Sequence, residues 1–202
     1  QSQLQNHCIK VESEINDIQH NRDILYLLIY LNKNEMVSSG SPICWHIDVN
    51  QSNQRILSSY IYQCNVTLYD TNIYFEYKHN KTYRAIKNRY IKYLSSLFML
   101  CFGSNHKYNV NDIFECEITI VKCILKNKSY AYTKVTSSDF DNINLNWKLF
   151  AHYLNLQYNK SYFLTYCVDY IKCIMNHLHK EWRDIKWKTY FIYIFIRTIA
   201  IF

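Results

Sequence analysis

The run Ile113-Phe114-Glu115-Cys116-Glu117-Ile118-Thr119-Ile120 alternates apolar and polar side chains, the period of a half-buried strand. Further along, Thr165-Tyr166-Cys167-Val168-Asp169-Tyr170-Ile171-Lys172 reads as helix. Each run holds a cysteine. Bonded to each other, Cys116 and Cys167 would staple a long helix onto a sheet, closing a loop of about fifty residues at a gain of roughly 4 kcal/mol in chain entropy. On this strand reading Glu115 and Glu117 share one face and are solvated.

Outward from that run, the pattern suggests a repeat. Residues 7 to 77 read mostly as strands: Cys8 to Ile15 alternates at first, Ile24 to Leu31 is a continuous apolar run, and Ile56 to Tyr77 is rich in Tyr, Ile and Val, with Gly40-Ser41-Pro42 as punctuation. From Thr82 to Phe102 the period becomes helical, with Ile86, Tyr90, Tyr93, Leu94, Leu97 and Cys101 on one stripe and Gly103 as the C-cap. Ser104 to Asn111 is a polar link. Strands are then predicted over Ile113 to Leu125, Ser129 to Val135 and Phe140 to Leu145, followed by a helix from Asn146 to Trp182 that breaks near Gln157 to Lys160. Two units of strands followed by a long helix predict an α+β fold, one antiparallel sheet covered on one face by two long helices. The divisions are a tail over 1–6, a first half over 7–103, the link over 104–111, a second half over 112–185 and an apolar tail over 186–202.

The chain of 202 residues is 49% hydrophobic, enough to bury a full core. Its net charge of +7 is spread singly, without a basic run, so nucleic acid is not expected as a partner. The eight cysteines form no Cys-x-x-Cys and scatter along the chain, as disulfides do in an oxidising compartment. Sequons at Asn50, Asn65, Asn80, Asn127 and Asn159, with Gln1 in place of an initiator Met, point the same way, to the secretory pathway and to secretion or display on a host cell surface. Residues 190–202 are apolar apart from Arg197 but shorter than the roughly twenty residues a bilayer span needs, which leaves a strand, a buried tail or the stub of an anchor.

Three local strings carry a resemblance to the α1α2 platform of MHC class I molecules: Phe114-Glu115-Cys116-Glu117-Ile118, Lys128-Ser129-Tyr130-Ala131-Tyr132 and Tyr166-Cys167-Val168-Asp169-Tyr170-Ile171. The short spacing from Cys116 to Cys167, and the absence of room for an α3 domain after Trp182, make the chain most similar to the poxviral MHC class I-like immune-evasion proteins. Tyr162 stands at one groove-end tyrosine position of that family, and Ile174 replaces another. The resemblance implies a disulfide between Cys116 and Cys167. Cys64 with Cys101 and Cys8 with Cys44 are further expected pairs, while Cys123 and Cys173 either pair with each other or stay as thiols.

What the resemblance implies for function is a secreted or surface-held viral mimic, not an enzyme, that binds an activating natural-killer lectin-like receptor as a decoy. The alternatives are a cytokine such as tumour necrosis factor, the peptide-loading machinery, or a groove holding a lipid or peptide; β2-microglobulin is not expected, and membrane contact through the apolar tail is open. The expected partner-binding residues are Arg84, Lys87, Asn88 and Lys92 on the first helix. On the second they are His152, Tyr153, Gln157, Tyr158, Lys172 and Asn176. No cofactor and no metal is expected: Cys44-Trp45-His46 and His177-Leu178-His179 lack a recognised ligand spacing. No thiol-protease, phosphate-loop or paired-carboxylate site stands out.

Overall fold

In the computed structural model, residues 3–128, 131–136, 138–139, 145–154 and 162–199 are described. The class is α+β, as expected, with nine helices and four strands among those residues. The helices are α1 (Gln3–Asn21), α2 (Ile24–Asn32), α3 (Glu35–Ser38), α4 (Ile73–Glu76), α5 (Lys81–Phe102), α6 (Asn111–Ile124), α7 (Trp147–Tyr153), α8 (Val168–Glu181) and α9 (Ile185–Ile199). The strands are β1 (Ile43–Asn50), β2 (Asn53–Gln63), β3 (Thr133–Thr136) and β4 (Tyr162–Thr165). They divide into two compact units that interleave along the chain instead of following one another as two halves: residues 1–22, 66–121 and 181–202 form one, and 23–65 with 122–180 the other.

The first unit is helical. On α1 the buried residues are Cys8, Val11, Ile15 and Gln19, a helical stripe that overrides the alternation at Cys8 to Val11. Gln19 donates its side-chain amide to the carbonyl of Trp182 at 2.7 Å, and Arg183 donates to the carbonyls of Gln19 and Arg22, each at 2.8 Å. Helix α5 agrees closely with its predicted bounds. Asn80 caps it by accepting from the backbone of Thr82 and Tyr83, and Gly103 ends it at φ 81, a left-handed conformation that costs glycine nothing. Helix α9 is buried all round, from Trp187 to Ile196, so most of the apolar tail is core. No helix among the described residues is long and apolar enough to cross a membrane.

The run 113–120 is helix, not strand. In α6 the buried residues Ile113, Phe114, Cys116, Glu117, Ile120 and Val121 follow helical spacing. Alternation over seven residues placed Glu115 and Glu117 together; the helix separates them, leaving Glu115 exposed and Glu117 with no exposed surface. The string Phe114 to Ile118 therefore lacks the strand conformation on which its resemblance rested.

The second unit holds the sheet, in the order β1-β2-β4-β3. Strands β1 and β2 form an antiparallel hairpin closed by Asn50, whose side-chain oxygen accepts from the backbone of Ser52 and Asn53. Strand β4 runs parallel to β2 and antiparallel to β3, so the sheet is mixed. It lies inside the predicted second helix, which leaves two shorter helices, α7 and α8, in its place. Helix α5, meanwhile, belongs to the helical unit. Among the described residues the sheet is mixed rather than antiparallel, so the predicted platform is not borne out. Asn32 ties α2 to the first strand: its amide donates to the carbonyls of Leu28 at 2.8 Å and Ile43 at 2.7 Å, and its oxygen accepts from the backbone of Trp45 at 2.9 Å.

The cysteines also pair differently. Cys123 and Cys173, the pair whose bonding the sequence left open, form the disulfide, with Cα atoms 5.4 Å apart. The other six are buried thiols. Cys116 turns toward the carbonyl of Lys186 in the helical unit, and Cys167 hydrogen-bonds with Thr165 at 3.2 Å in the mixed unit. Cys44 donates to the carbonyls of Ser38 and Ser41, and Cys64 accepts from the Tyr170 hydroxyl at 3.6 Å. Cys8 shares a hydrogen bond with Cys101. None of the three expected disulfides is present.

Candidate functional site

Three constellations of polar side chains stand out, two in the helical unit. The first surrounds Glu117. One carboxylate oxygen accepts from the Thr67 backbone at 3.0 Å and the Thr67 hydroxyl at 2.6 Å, and the other accepts from the Tyr74 hydroxyl at 3.0 Å. Tyr193 lies 2.8 Å from the Thr67 hydroxyl, and Tyr90 donates to Tyr193 at 3.3 Å. Burial raises the Glu117 carboxyl above the usual range, opposed by the hydrogen bonds from Thr67 and Tyr74. The tyrosines are pushed up in turn, first by burial and then by the Glu117 charge. Every donor faces an acceptor, so this network ties α4, α5, α6 and α9 together.

The second is a cavity of about 380 Å³ lined by residues including Glu12, Cys101, His106, Lys107 and Tyr108. Glu12 pairs with Lys107 at 3.2 Å and accepts from the Tyr108 hydroxyl. Burial, then the contact with Glu12, raises the Tyr108 phenol. Contact with Cys101 and burial push the Cys8 thiol up. Glu12 is thus committed to Lys107 and Tyr108, while the buried Nδ1 of His106 has no hydrogen-bond partner among the described residues.

The third, in the mixed unit, is a groove of about 130 Å³ beside the edge strand β3. Val135, Phe163, Val168 and Ile171 give it an apolar floor, and Lys134, Asp139 and Lys172 a charged rim. Asp139 accepts from the backbone and hydroxyl of Thr136 at 2.9 and 2.7 Å, and those hydrogen bonds hold its pKa below the usual carboxylate range. Lys134 lies over the Tyr162 ring at 3.9 Å. On one side β3 pairs with β4; its other side pairs with no strand among the described residues. This arrangement can take an extended chain, with main-chain hydrogen bonds along the edge and one side chain in the groove.

Of the expected partner-binding residues that are described, only Lys172 reaches this groove. Asn176 is exposed on α8, and His152 and Tyr153 are exposed on α7, the latter against Tyr26. On α5, Asn88 and Lys92 are exposed, Arg84 donates to the carbonyls of Tyr77 and Lys78, and Lys87 lies over the Tyr77 ring at 3.9 Å. Gln157 and Tyr158 lie outside the described residues, as does the sequon Asn159. The groove itself was not read from the sequence, because Phe163 belonged to a predicted helical stripe; only the cluster of aromatic and β-branched residues in Tyr162 to Thr165 marks it as strand.

The family model described as Peptidase family M13 matches residues 2–202. No curated protein and no solved structure matches. The match overturns the resemblance to poxviral MHC class I-like proteins, and with it the viral decoy of a natural-killer receptor, the related immune-evasion functions and the expectation that the chain is not an enzyme, since the family is one of peptidases. The local strings that carried the resemblance are short, whereas the family match spans nearly the whole chain.

A metallopeptidase commonly binds zinc through His-Glu-x-x-His, two histidines one helical turn apart with a glutamate between them. That string does not occur in the 202 residues. His177 and His179 on α8 stand about 200° apart around the helix, one half-buried and one exposed, and cannot share an ion. The one cluster of metal-ligand types among the described residues is Cys123, Cys173 and His177, whose sulfurs are joined as a disulfide. These residues do not fit a hydrolytic zinc centre. In fold an α+β chain of interleaved helical and mixed units, and in sequence matched from residue 2 to residue 202, the protein belongs to peptidase family M13.

Proposed function

We propose that this chain is a peptide-holding part of an M13 peptidase, one that positions substrate rather than hydrolysing it. The observation carrying this reading is the groove beside β3, where a sheet edge adjoins an apolar floor of Val135, Phe163, Val168 and Ile171. An extended peptide would add a strand to that edge, and its backbone hydrogen bonds would give affinity without demanding a sequence. One aliphatic side chain would enter the groove. Lys134 and Lys172 on the rim favour acidic residues beside it. Hydrolytic zinc chemistry is not assigned to these residues.

The test is fluorescence anisotropy with labelled, unstructured peptides in which a Leu or Ile is flanked by Asp or Glu. Binding is expected to weaken about tenfold or more in Ile171→Glu, which places a charge on the apolar floor. No peptide binding, or equal binding by the variant with its fold intact by circular dichroism, would sink the reading. Cleavage of the peptides by the zinc-supplemented chain, abolished by a chelator, would overturn the non-hydrolytic part of it. Residence in the secretory pathway remains part of the proposal, supported by the sequons and by the Cys123–Cys173 disulfide.

A further inference from the structure

The disulfide of the mixed unit has a third neighbour. Cys173 and His177 are one turn apart on α8 and share a face, while Cys123 approaches from α6. The two sulfurs and an imidazole nitrogen lie within 4.8 Å of one another. Cys123 is buried, and Cys173 and His177 are half-buried, so the cluster lies at the margin of the core with a route to solvent.

Two thiolates and an imidazole form a donor set for a thiophilic divalent ion such as zinc, with a fourth position left for water or another ligand. The disulfide offers no thiolate. Reduction changes that without requiring a new fold, because the Cα atoms, 5.4 Å apart, already hold both cysteines beside the histidine. We propose that Cys123, Cys173 and His177 form a zinc site in the reduced protein, and that the bound metal and the disulfide are alternative states of the same residues.

The exchange balances. A dithiol reductant places two electrons in the Cys123–Cys173 bond, becomes a disulfide itself and leaves two cysteine thiols, which release their protons when zinc binds. In the reverse direction a small disulfide, RSSR, is attacked by one thiolate, forming a mixed disulfide and expelling RS⁻. The second cysteine thiolate then attacks the protein sulfur of that mixed disulfide. The second RS⁻ leaves, the Cys123–Cys173 bond forms, and the zinc ion departs because His177 alone holds it poorly.

The experiment uses the full chain, reduced with a phosphine, freed of reductant without oxygen and titrated with cobalt(II) and then zinc. One tight equivalent of cobalt is expected, with a thiolate-to-metal charge-transfer band that zinc abolishes. His177→Ala keeps both cysteines and hence the disulfide, so its fold can be verified in the oxidised state by circular dichroism; metal affinity should fall by roughly tenfold or more. Cys173→Ser should remove the band, and the double variant Cys8→Ser, Cys101→Ser should keep it. Oxidised glutathione should release the zinc to a chromogenic chelator while peptide mapping recovers linked Cys123 and Cys173. A reduced chain that takes up no tight equivalent, a band unchanged in folded His177→Ala, or metal retained after the disulfide has re-formed would each overturn the proposal. Peptide binding at the β3 groove plays no part in these readouts.

Discussion

Glu117 shows at residue scale how one side chain reverses a reading. Alternation in Phe114 to Ile120 made it a solvated strand residue; in α6 it is enclosed, with three donors directed at it. Glu117→Ala strands those donors in a buried space and should cost about 3–5 kcal/mol, measured by urea denaturation. The pH dependence follows from the sign of the shift. Because burial raises the folded carboxyl pKa above the unfolded value, the folded state takes up the proton more readily. The stabilising contribution of the protonated form is fully present below the ordinary carboxylate range and is lost as pH rises through the raised folded pKa. Glu117→Gln should flatten that part of the stability-pH profile; an unchanged slope would count against the assignment. The sequons differ in the same residue-level way. Asn50 donates its amide to Ser58 and Asn127 donates to the carbonyl of Tyr166, whereas Asn65 is exposed and Asn80 uses only its oxygen, as a cap. Glycopeptide mapping of secreted protein is expected to find sugar at Asn65 and Asn80 and none at Asn50 or Asn127.

At the scale of elements, helix α5 was legible because its information is local. Its stripe runs over 22 residues, with a cap at each end. Asn80→Ala removes the acceptor for two backbone groups and should cost about 1 kcal/mol, read from thermal melts alongside Asn80→Ser, which should recover most of the loss. Helices α1 and α6 were misread because windows of five to seven residues fit either period. The adjacent pairs Ile113-Phe114 and Ile120-Val121 break a strict alternation and carry the helical signal. Strand β4 was lost for the opposite reason: a four-residue strand inside a long apolar stripe has no period of its own, and it is a strand because β3 and β2 flank it. The buried face of α9 surrounds the helix, so hydropathy showed that it was apolar and not what it packs against.

For the whole molecule, the disulfide is the sharpest case. Cys123–Cys173 closes a loop with a sequence separation of 50, for which loop entropy gives roughly 4 kcal/mol at most. Its reduction should raise hydrogen exchange in β2, β4 and α8 of the mixed unit more than in α5 and α9 of the helical unit, as mass spectrometry of quenched samples can measure. Equal loosening of both units would show that the bond does not act on one of them. The sequence by itself determined the α+β class, helix α5 with its C-cap, the presence of an apolar C-terminal segment and, through a match over residues 2–202, the peptidase family. Those depend on composition, on local period, or on similarity summed along the chain. Only the tertiary structure decided that 113–120 is helix, that Cys123 bonds Cys173, that β4 joins two strands, and that His177 lies beside that disulfide and a groove beside β3. Each of these turns on contacts between residues far apart in sequence, where a side chain's partner, and not its neighbours along the chain, sets its free energy.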